Sequence, residues 1–318
     1  AVGYQAGYTT NGDSGTFLGH QAGRNNTANN TVFIGYQTGY NNTGSSNTAV
    51  GFLSFNANTT GTSNTTLGRE SLKANTTGVN NIAIGYQPLL VNTTGSQNIS
   101  LGTNSLLNNI VGSDNIAVGV NALRFNTASN NVAMGRDALY SNTTGANNVG
   151  LGRAALQNNV GGQENTAVGA YSLTLNTANY NTAVGKNALY SNTTGASNVA
   201  LGFQSAFSNS TGTRNTAVGY QTLYAADTDD NAAFGWQAAR LTTTGSSNTA
   251  LSTYALYYNT TGSNNTAVGR DALLSNTTAS NNTAVGYQTL RLNTTGTGHT
   301  AVGWLALQQQ TTANQNTA

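Results

Sequence analysis

The chain repeats one short unit along almost its whole length. One copy starts at Asn265 and reads Asn-Thr-Ala-Val-Gly, two variable residues, Ala-Leu, two variable residues and Asn-Thr-Thr. The glycine after the Ala-Val pair, called the marker glycine below, recurs every 16 or 17 residues, and Ser252 replaces it in one copy. Self-similarity at a fixed short period is typical of solenoids, so it constrains the fold more than any local feature does. The marker glycines include Gly85, Gly102, Gly119 and Gly135.

The two repeat lengths differ at one corner of the unit. Longer copies carry Asn-Thr-Thr-Gly, as at residues 142–145, whereas several shorter copies carry Asn-Thr-Ala, as at residues 126–128. Glycine and asparagine tolerate positive φ and are typical of turns. We therefore expect the shorter copies to lack one residue of a turn, while the strands on either side keep their register.

The rest of the unit predicts strands and not helices. Asn, Thr and Gly are poor helix formers, and the apolar residues lack the 3.6-residue period of a helix. Short β-branched stretches bounded by Asn or Gly, at residues 82–84, 116–118 and 199–201, are typical of strands. A second short strand is expected through the Ala-Leu pair, as at residues 138–140.

These features predict an all-β fold, a parallel β-solenoid (β-roll) with one coil of 16–17 residues per repeat. We expect residues 1–318 to form a single continuous array of about nineteen coils. Residues 1–50 are variant first copies, in which Gly7, Gly23 and Gly39 stand where later copies have leucine, and a slimmer segment is expected there. The chain begins and ends inside a copy, which predicts a segment of a longer repetitive protein.

Asparagines recur at two phases of the unit. Stacked coils place equivalent residues about 4.8 Å apart, so side-chain amides at one phase can donate and accept along the axis. We therefore predict two structural ladders of amides. The first, four residues before the marker glycine, includes Asn81, Asn98, Asn115 and Asn131, and the second, seven residues after it, includes Asn75, Asn92, Asn109 and Asn126.

The strands are apolar on both faces, which predicts cover on both sides. We expect Val268 and Leu273, and their equivalents, to pack inside the coil. The small residue before the valine, as at Ala267, would then face a partner that approaches closely. Identical chains are the simplest partner, as a parallel homotrimer. A monomeric solenoid in which alanine fills a thin coil is the alternative.

Composition bounds the chemistry. Charged residues make up 6% of the chain and the formal net charge is +2, which argues against nucleic acid as a partner. The chain has no cysteine and only two histidines, so it offers no metal cluster and no nucleophile–base pair. We expect no enzymatic activity and no cofactor. No apolar run reaches membrane-spanning length, so no membrane insertion is expected.

Two sets of residues are candidates for surface contacts. The three carboxylates Asp227, Asp229 and Asp230 replace the usual corner and read as a solvated acidic loop, with a calcium site as the weaker alternative. The residue after the marker glycine is often aromatic or cationic, which is typical of a partly wet coil edge. Its aromatic members, which could contact cell-surface glycans, include Tyr220, Trp236, Tyr287 and Trp304.

Residues 115–122 (Asn-Ile-Ala-Val-Gly-Val-Asn-Ala) and 81–85 (Asn-Ile-Ala-Ile-Gly) resemble the head repeats of trimeric autotransporter adhesins. The fuller unit, with Ala-Leu and Asn-Thr-Thr-Gly, resembles repeat arrays of bacterial and phage tail-fibre-like proteins. The resemblance covers essentially the whole chain, although the adhesin heads use shorter copies. It implies a left-handed roll, three intertwined chains and an extracellular location, in a cell-surface appendage or a virion fibre.

The sequence therefore predicts a structural extracellular fibre or filament shaft, with adhesive surface contacts as an additional role. Nineteen steps of about 4.8 Å would give a rod of roughly 90 Å. Its open strand ends would join further coils or another subunit, so an end-to-end polymer is an alternative to the trimer. Two other functions stay open, a carbohydrate-binding adhesin and an ice-binding solenoid. The ice-binding candidate is a threonine column that includes Thr59, Thr76 and Thr93.

Overall fold

A computed structural model describes residues 1–318. It contains 18 strands of three residues each and no helix. The chain divides into two compact units, Ala1–Gln163 and Glu164–Ala318. Each unit is a parallel β-solenoid in which one repeat makes one coil, which confirms the predicted fold class. The structure holds no helix that is long and apolar enough to cross a membrane.

Each strand ends one residue before a marker position. The first unit contains β1 (Thr16–Leu18), β2 (Val32–Ile34), β3 (Thr48–Val50), β4 (Thr65–Leu67), β5 (Ile82–Ile84), β6 (Ile99–Leu101), β7 (Ile116–Val118), β8 (Val132–Met134) and β9 (Val149–Leu151). The second contains β10 (Thr166–Val168), β11 (Thr182–Val184), β12 (Val199–Leu201), β13 (Thr216–Val218), β14 (Ala232–Phe234), β15 (Thr249–Leu251), β16 (Thr266–Val268), β17 (Thr283–Val285) and β18 (Thr300–Val302). Within each unit, successive strands pair in parallel with equivalent residues opposite each other.

The middle residue of each strand faces the coil interior, and this corrects the predicted orientation. Ala267 is fully buried within a single chain, whereas Thr266 and Val268 on either side of it point outward. Because neighbouring strand residues face opposite ways, a small middle residue leaves room for the leucine across the coil. A Cβ built on Gly150 would lie 3.4 Å from Leu139 Cδ1, in ordinary contact distance of that leucine. Alanine therefore lines the interior, and valine lies outside.

The predicted second strand through the Ala-Leu pair is wrong. In the copy after Gly135, the segment turns because Asp137 and Leu139 have φ of 58° and 51°. This left-handed conformation costs about 1–2 kcal/mol for a residue with a Cβ. Burial and bonding offset it, since Leu139 is fully buried and its N–H donates to the Ala155 carbonyl at 2.9 Å.

The interior of the first coils is filled by different side chains from that of the later coils. Phe17 and Phe33 stand at the middle strand position that is small elsewhere. Their rings occupy the space that leucine fills in later coils, because a Cβ on Gly39 would lie 2.6 Å from the Phe33 ring. A large residue on the strand therefore pairs with glycine across the coil.

The missing residue of the shorter copies lies in the corner, as predicted. Asn98 Nδ2 donates to the Gly112 carbonyl at 2.9 Å in a longer copy, and Asn115 Nδ2 donates to the Ala128 carbonyl at 2.9 Å in a shorter one. The strands keep their register across this change, with Ile116 opposite Val132.

Candidate functional site

The marker glycines lie where adjacent coils approach closely. Gly119 has φ of 134°, and a Cβ built on it would lie 2.7 Å from the Gly135 carbonyl oxygen. Gly85 and Gly102 show the same close approach to the next marker. Glycine is needed on both grounds, the positive φ and the lack of space. Ser252 is the exception, because it adopts φ of 123° with a side chain.

The first amide column joins each coil to the coils on both sides. The Asn98 backbone N–H donates to Asn81 Oδ1 at 3.0 Å, and the Asn115 N–H donates to Asn98 Oδ1 at 3.1 Å. The Asn81 Nδ2 donates to the Gly95 carbonyl at 2.9 Å, on the same side as Asn98. Asn81, Asn98, Asn115 and Asn131 are all fully buried. Each of these asparagines therefore bonds to the preceding coil through its backbone N–H and to the following coil through its side-chain amide.

The second amide column is a direct ladder of side chains. Asn92 Nδ2 donates to Asn75 Oδ1 at 3.0 Å, and Asn109 Nδ2 donates to Asn92 Oδ1 at 3.1 Å. The same Asn92 Nδ2 also donates to the Gly95 carbonyl of its own corner at 3.0 Å. The ladder is interrupted at Asn126, which donates to the Ala128 carbonyl at 2.7 Å and leaves Asn109 Oδ1 without a partner. The predicted residues of both ladders are thus brought together in the interior.

Rings at the position after the marker glycine stack along the axis. Tyr36 and Phe52 lie 5.3 Å apart at an interplanar angle of 15°. In the second unit, Tyr220 lies between Phe203 at 5.4 Å and Trp236 at 4.2 Å, with near-parallel planes. Both faces of the Tyr220 ring are therefore covered by its neighbours, and only the edge of the ring is available to a ligand. Tyr287 and Trp304 lie on the same column and are exposed.

One copy of the second unit departs from this stacking, and the sequence reasoning did not find it. Tyr254 lies 5.4 Å from Tyr257, and Tyr257 lies 4.7 Å from Tyr258, with interplanar angles of 80° and 79°. Together with Arg270 and Arg291 these rings line a cavity of about 380 Å³. We call these three tyrosines the tyrosine cluster. The sequence feature that could have indicated this cluster is the presence of three tyrosines in the copy whose marker position is Ser252.

The acidic corner is bonded to the coil before it. Asp227 Oδ1 accepts hydrogen bonds from the Thr211 N–H at 2.7 Å, the Ser210 N–H at 3.0 Å and the Gly212 N–H at 3.2 Å. Burial raises the pKa of the Asp227 carboxyl, but these hydrogen bonds outweigh that effect and hold the pKa below its ordinary value.

The other two carboxylates of this corner also have protein donors. Asp229 Oδ1 accepts from the Thr213 N–H at 2.7 Å, and Asp230 pairs with Arg214 through two contacts of 2.6 and 2.9 Å. The hydrogen bond from Arg214 lowers the pKa of the Asp230 carboxyl. No group of three or more histidine or acidic side chains is placed to hold a metal ion. The carboxylates of this corner therefore accept hydrogen bonds from the preceding coil.

The threonine column at the corner uses its hydroxyl groups internally. Thr59 Oγ1 donates to the Thr76 carbonyl at 2.8 Å, and Thr76 Oγ1 donates to the Thr93 carbonyl at 3.0 Å. Each hydroxyl hydrogen is engaged along the axis, which weakens the case that this column orders external water.

A scan against models of known protein families finds no match, and a search of curated proteins finds none with significant similarity. The function of the chain is therefore inferred from the amide columns, the outward strand faces and the tyrosine cluster.

Proposed function

We propose that this chain is a structural segment of an extracellular fibre, in a cell-surface appendage or a virion fibre. The observation that carries the proposal is the pair of buried amide columns. They add side-chain hydrogen bonds between coils to those of the strands, as between Asn92 and Asn75 at 3.0 Å. Bending a solenoid requires opening such bonds on one side, so the columns favour stiffness. The resemblance of the repeats to adhesin and tail-fibre arrays supports the extracellular location.

We further propose that the chain associates with copies of itself through its outward strand faces. The third residue of every strand is apolar, and no charged residue lies at the first or third position. We call these two columns the outer face. Its side chains are partly exposed, as for Ile84 at 36%, Val199 at 41% and Leu201 at 45%. An apolar face of this extent is typical of an interaction surface.

The spacing of the outer face favours a second copy as its partner. Side chains recur about every 4.8 Å along the axis, and two sheets can interdigitate over many coils only when their repeats match. An identical chain has that repeat. A trimer is the copy number that the adhesin resemblance favours.

Electron microscopy combined with limited proteolysis tests the fibre role. We expect elongated, unbranched particles and resistance to a protease of broad specificity, because each corner is bonded to the next coil. Compact particles, or rapid cleavage inside the repeats, would contradict the proposal.

Adhesion is a second candidate function, and the tyrosine cluster favours it. The stacked rings of Tyr220 and Trp236 cover one another at 4.2 Å, whereas the rings of the cluster meet edge to face beside a cavity. A glycan-binding role at the surface is compatible with a fibre role. A glycan screen that compares the unchanged chain with Tyr258→Ala tests it.

A further inference from the structure

We propose that the tyrosine cluster binds a carboxylated sugar residue, such as a sialate or a uronate of a surface glycan. The site lies within the second unit and is lined by Tyr254, Tyr257 and Tyr258, with Arg270, Asp271 and Arg291. Its volume of about 380 Å³ is within the range of small-ligand sites and suits one sugar unit. The proposal rests on the adhesion role proposed above, whose ligand class it narrows, and does not depend on the fibre role.

The ring geometry is the first reason. Tyr257 meets both of its neighbours edge to face, at 80° and 79°. The faces of Tyr254 and Tyr258 are therefore not covered by parallel stacking, unlike the face of Tyr220 under Trp236. An aromatic face carries negative partial charge, so it attracts the weakly positive C–H groups of a sugar ring. Tyr258 is 48% exposed and accessible to such a ligand.

The fold does not need tyrosine at these positions. The residues equivalent to Tyr254 are Gln237 in the preceding coil and Asp271 in the following one. Tyr258 corresponds to Leu241 and Ser275 in those coils. Because glutamine, aspartate, leucine and serine serve at these two places in the adjacent coils, Tyr254 and Tyr258 indicate a role beyond folding.

Arg291 supplies the charge that selects an acidic sugar. Its Nε, like that of Arg124, is buried without a hydrogen-bond partner. Arg124 and Arg240 occupy the same phase in other coils, but their guanidinium groups lie over tyrosine rings at 5.9 Å and 5.1 Å. Leu274 and Gln308 flank Arg291 at that phase, so no neighbour there offers a ring. A carboxylate would accept hydrogen bonds from this guanidinium in the bidentate geometry that arginine favours.

Asp271 and Arg270 complete a polar rim that can recognise hydroxyl groups. Asp271 is buried, and its Oδ2 receives both Gln288 Nε2 at 3.2 Å and Arg270 Nε at 3.8 Å. Its Oδ1 remains able to accept a hydrogen bond from a sugar hydroxyl. The two arginines outnumber the one carboxylate, so the cavity carries a net positive charge and favours an anionic ligand.

Ligand-observed NMR and titration calorimetry with the full chain test the proposal. The probes are 3′-sialyllactose, digalacturonate and lactose, which distinguish a sialate from a uronate and either one from a neutral sugar. We expect at least one acidic probe to bind about tenfold or more tightly than lactose, because a charge-assisted hydrogen bond discriminates by that factor. Arg291→Gln is expected to remove this preference, and Tyr258→Ala to weaken binding of the same probe.

Arg124→Gln is the matched control, since it removes an arginine of the same column far from the cluster in sequence. It should leave binding unchanged, and thermal unfolding of each variant checks that the coils stay folded. The proposal is overturned if neither acidic probe binds the unchanged chain. It is equally overturned if lactose binds as tightly as both acidic probes, or if Arg291→Gln retains the preference. None of these results would bear on the fibre role.

Discussion

At the scale of single residues, the repeat places unusual conformations where the backbone needs them. Leucine adopts a positive φ in coil after coil, as at Leu106 and Leu123. Both side chains are fully buried, so their packing offsets the strain. The marker position is stricter, because a side chain there would also meet the next coil, as at Gly119. Ser252 shows that one coil tolerates this arrangement.

Ser252→Gly is expected to stabilise the chain by about 1 kcal/mol, since relief of backbone strain exceeds the added flexibility of glycine. Gly119→Ala is expected to destabilise it by about 2–4 kcal/mol, because it adds both strain and overlap. Chemical denaturation followed by circular dichroism measures both changes. Equal shifts for the two substitutions would show that the marker position has no special requirement.

The carboxyl of Asp227 gives the acidic corner a pH dependence. Its pKa in the folded state is lowered from 3.8, so its contribution to stability is complete above that value. The contribution is lost as the pH falls below 3.8 through the folded-state pKa. We therefore expect Asp227→Asn to lower the melting temperature at pH 7, and the difference from the unchanged chain to shrink in stronger acid. Asp114→Asn, at an exposed corner residue, is the control for the loss of one carboxylate and should leave the melting temperature at pH 7 nearly unchanged.

At the scale of the coil, buried side-chain amides supply hydrogen bonds that apolar contacts cannot provide. Every corner exposes backbone carbonyls to the interior, and the two amide columns supply donors for them, as Asn92 does for Gly95. Where the middle strand residue is polar, its partner is polar too, since Ser100 Oγ lies 2.6 Å from Ser105 Oγ. Buried polar groups are therefore paired across and between coils.

Asn92→Ala is expected to destabilise the first unit by about 2–4 kcal/mol, because it removes hydrogen bonds and leaves buried groups of Asn75 and Asn109 unpaired. Asn158→Ala, at an exposed position of the same unit, is the matched control and should shift stability by less than about 0.5 kcal/mol. Denaturant midpoints compare the two. A similar shift for both would contradict a structural role of the ladder.

At the scale of the whole molecule, the outer face is the basis of the proposed self-association. Each unit has such a face, and in neither unit does it contain a charged side chain. Its first column changes from mainly apolar in the first unit, as at Ile116, to mainly threonine in the second, as at Thr266. The third column stays apolar in both. Association through this face would be strongest where both columns are apolar.

Ile84→Lys together with Ile116→Lys should therefore reduce self-association, because each places a charge in the apolar contact. We expect a smaller molar mass in sedimentation equilibrium than for the unchanged chain, at equal concentration. Lysine at Thr59 and Thr93, on the corner of the same unit, is the control and should leave the mass unchanged. An unchanged chain that sediments as a monomer would contradict the proposed association.

The sequence predicted the features that depend on phase alone. Strand positions such as residues 82–84, the corner that loses a residue and both amide columns follow from equal spacing. Which strand residues point into the coil could not be predicted from spacing. A three-residue Thr-Ala-Val strand has the same sequence pattern whether Ala or Val points inward. The space left opposite Leu273 determines which of the two residues does so.

The left-handed segment and the tyrosine cluster were also beyond the sequence. Leucine at positive φ is disfavoured locally, so residues 138–140 read as extended. Inter-coil hydrogen bonds stabilise the other conformation, and these exist only once coils are stacked. Tyrosine at the coil edge predicted stacking in general. Whether rings meet face to face, as at Tyr220, or edge to face, as at Tyr257, depends on the three-dimensional positions of neighbouring columns.

The way each corner asparagine reaches only to adjacent coils has an evolutionary consequence. Unequal crossover between gene copies that adds or deletes one complete repeat would leave every surviving layer with the same neighbours as before. A deletion of a single codon within a strand would instead turn the following side chains to the opposite face. Selection would thus tolerate the gain or loss of whole repeats. It would tolerate the gain or loss of a single residue only at the turn.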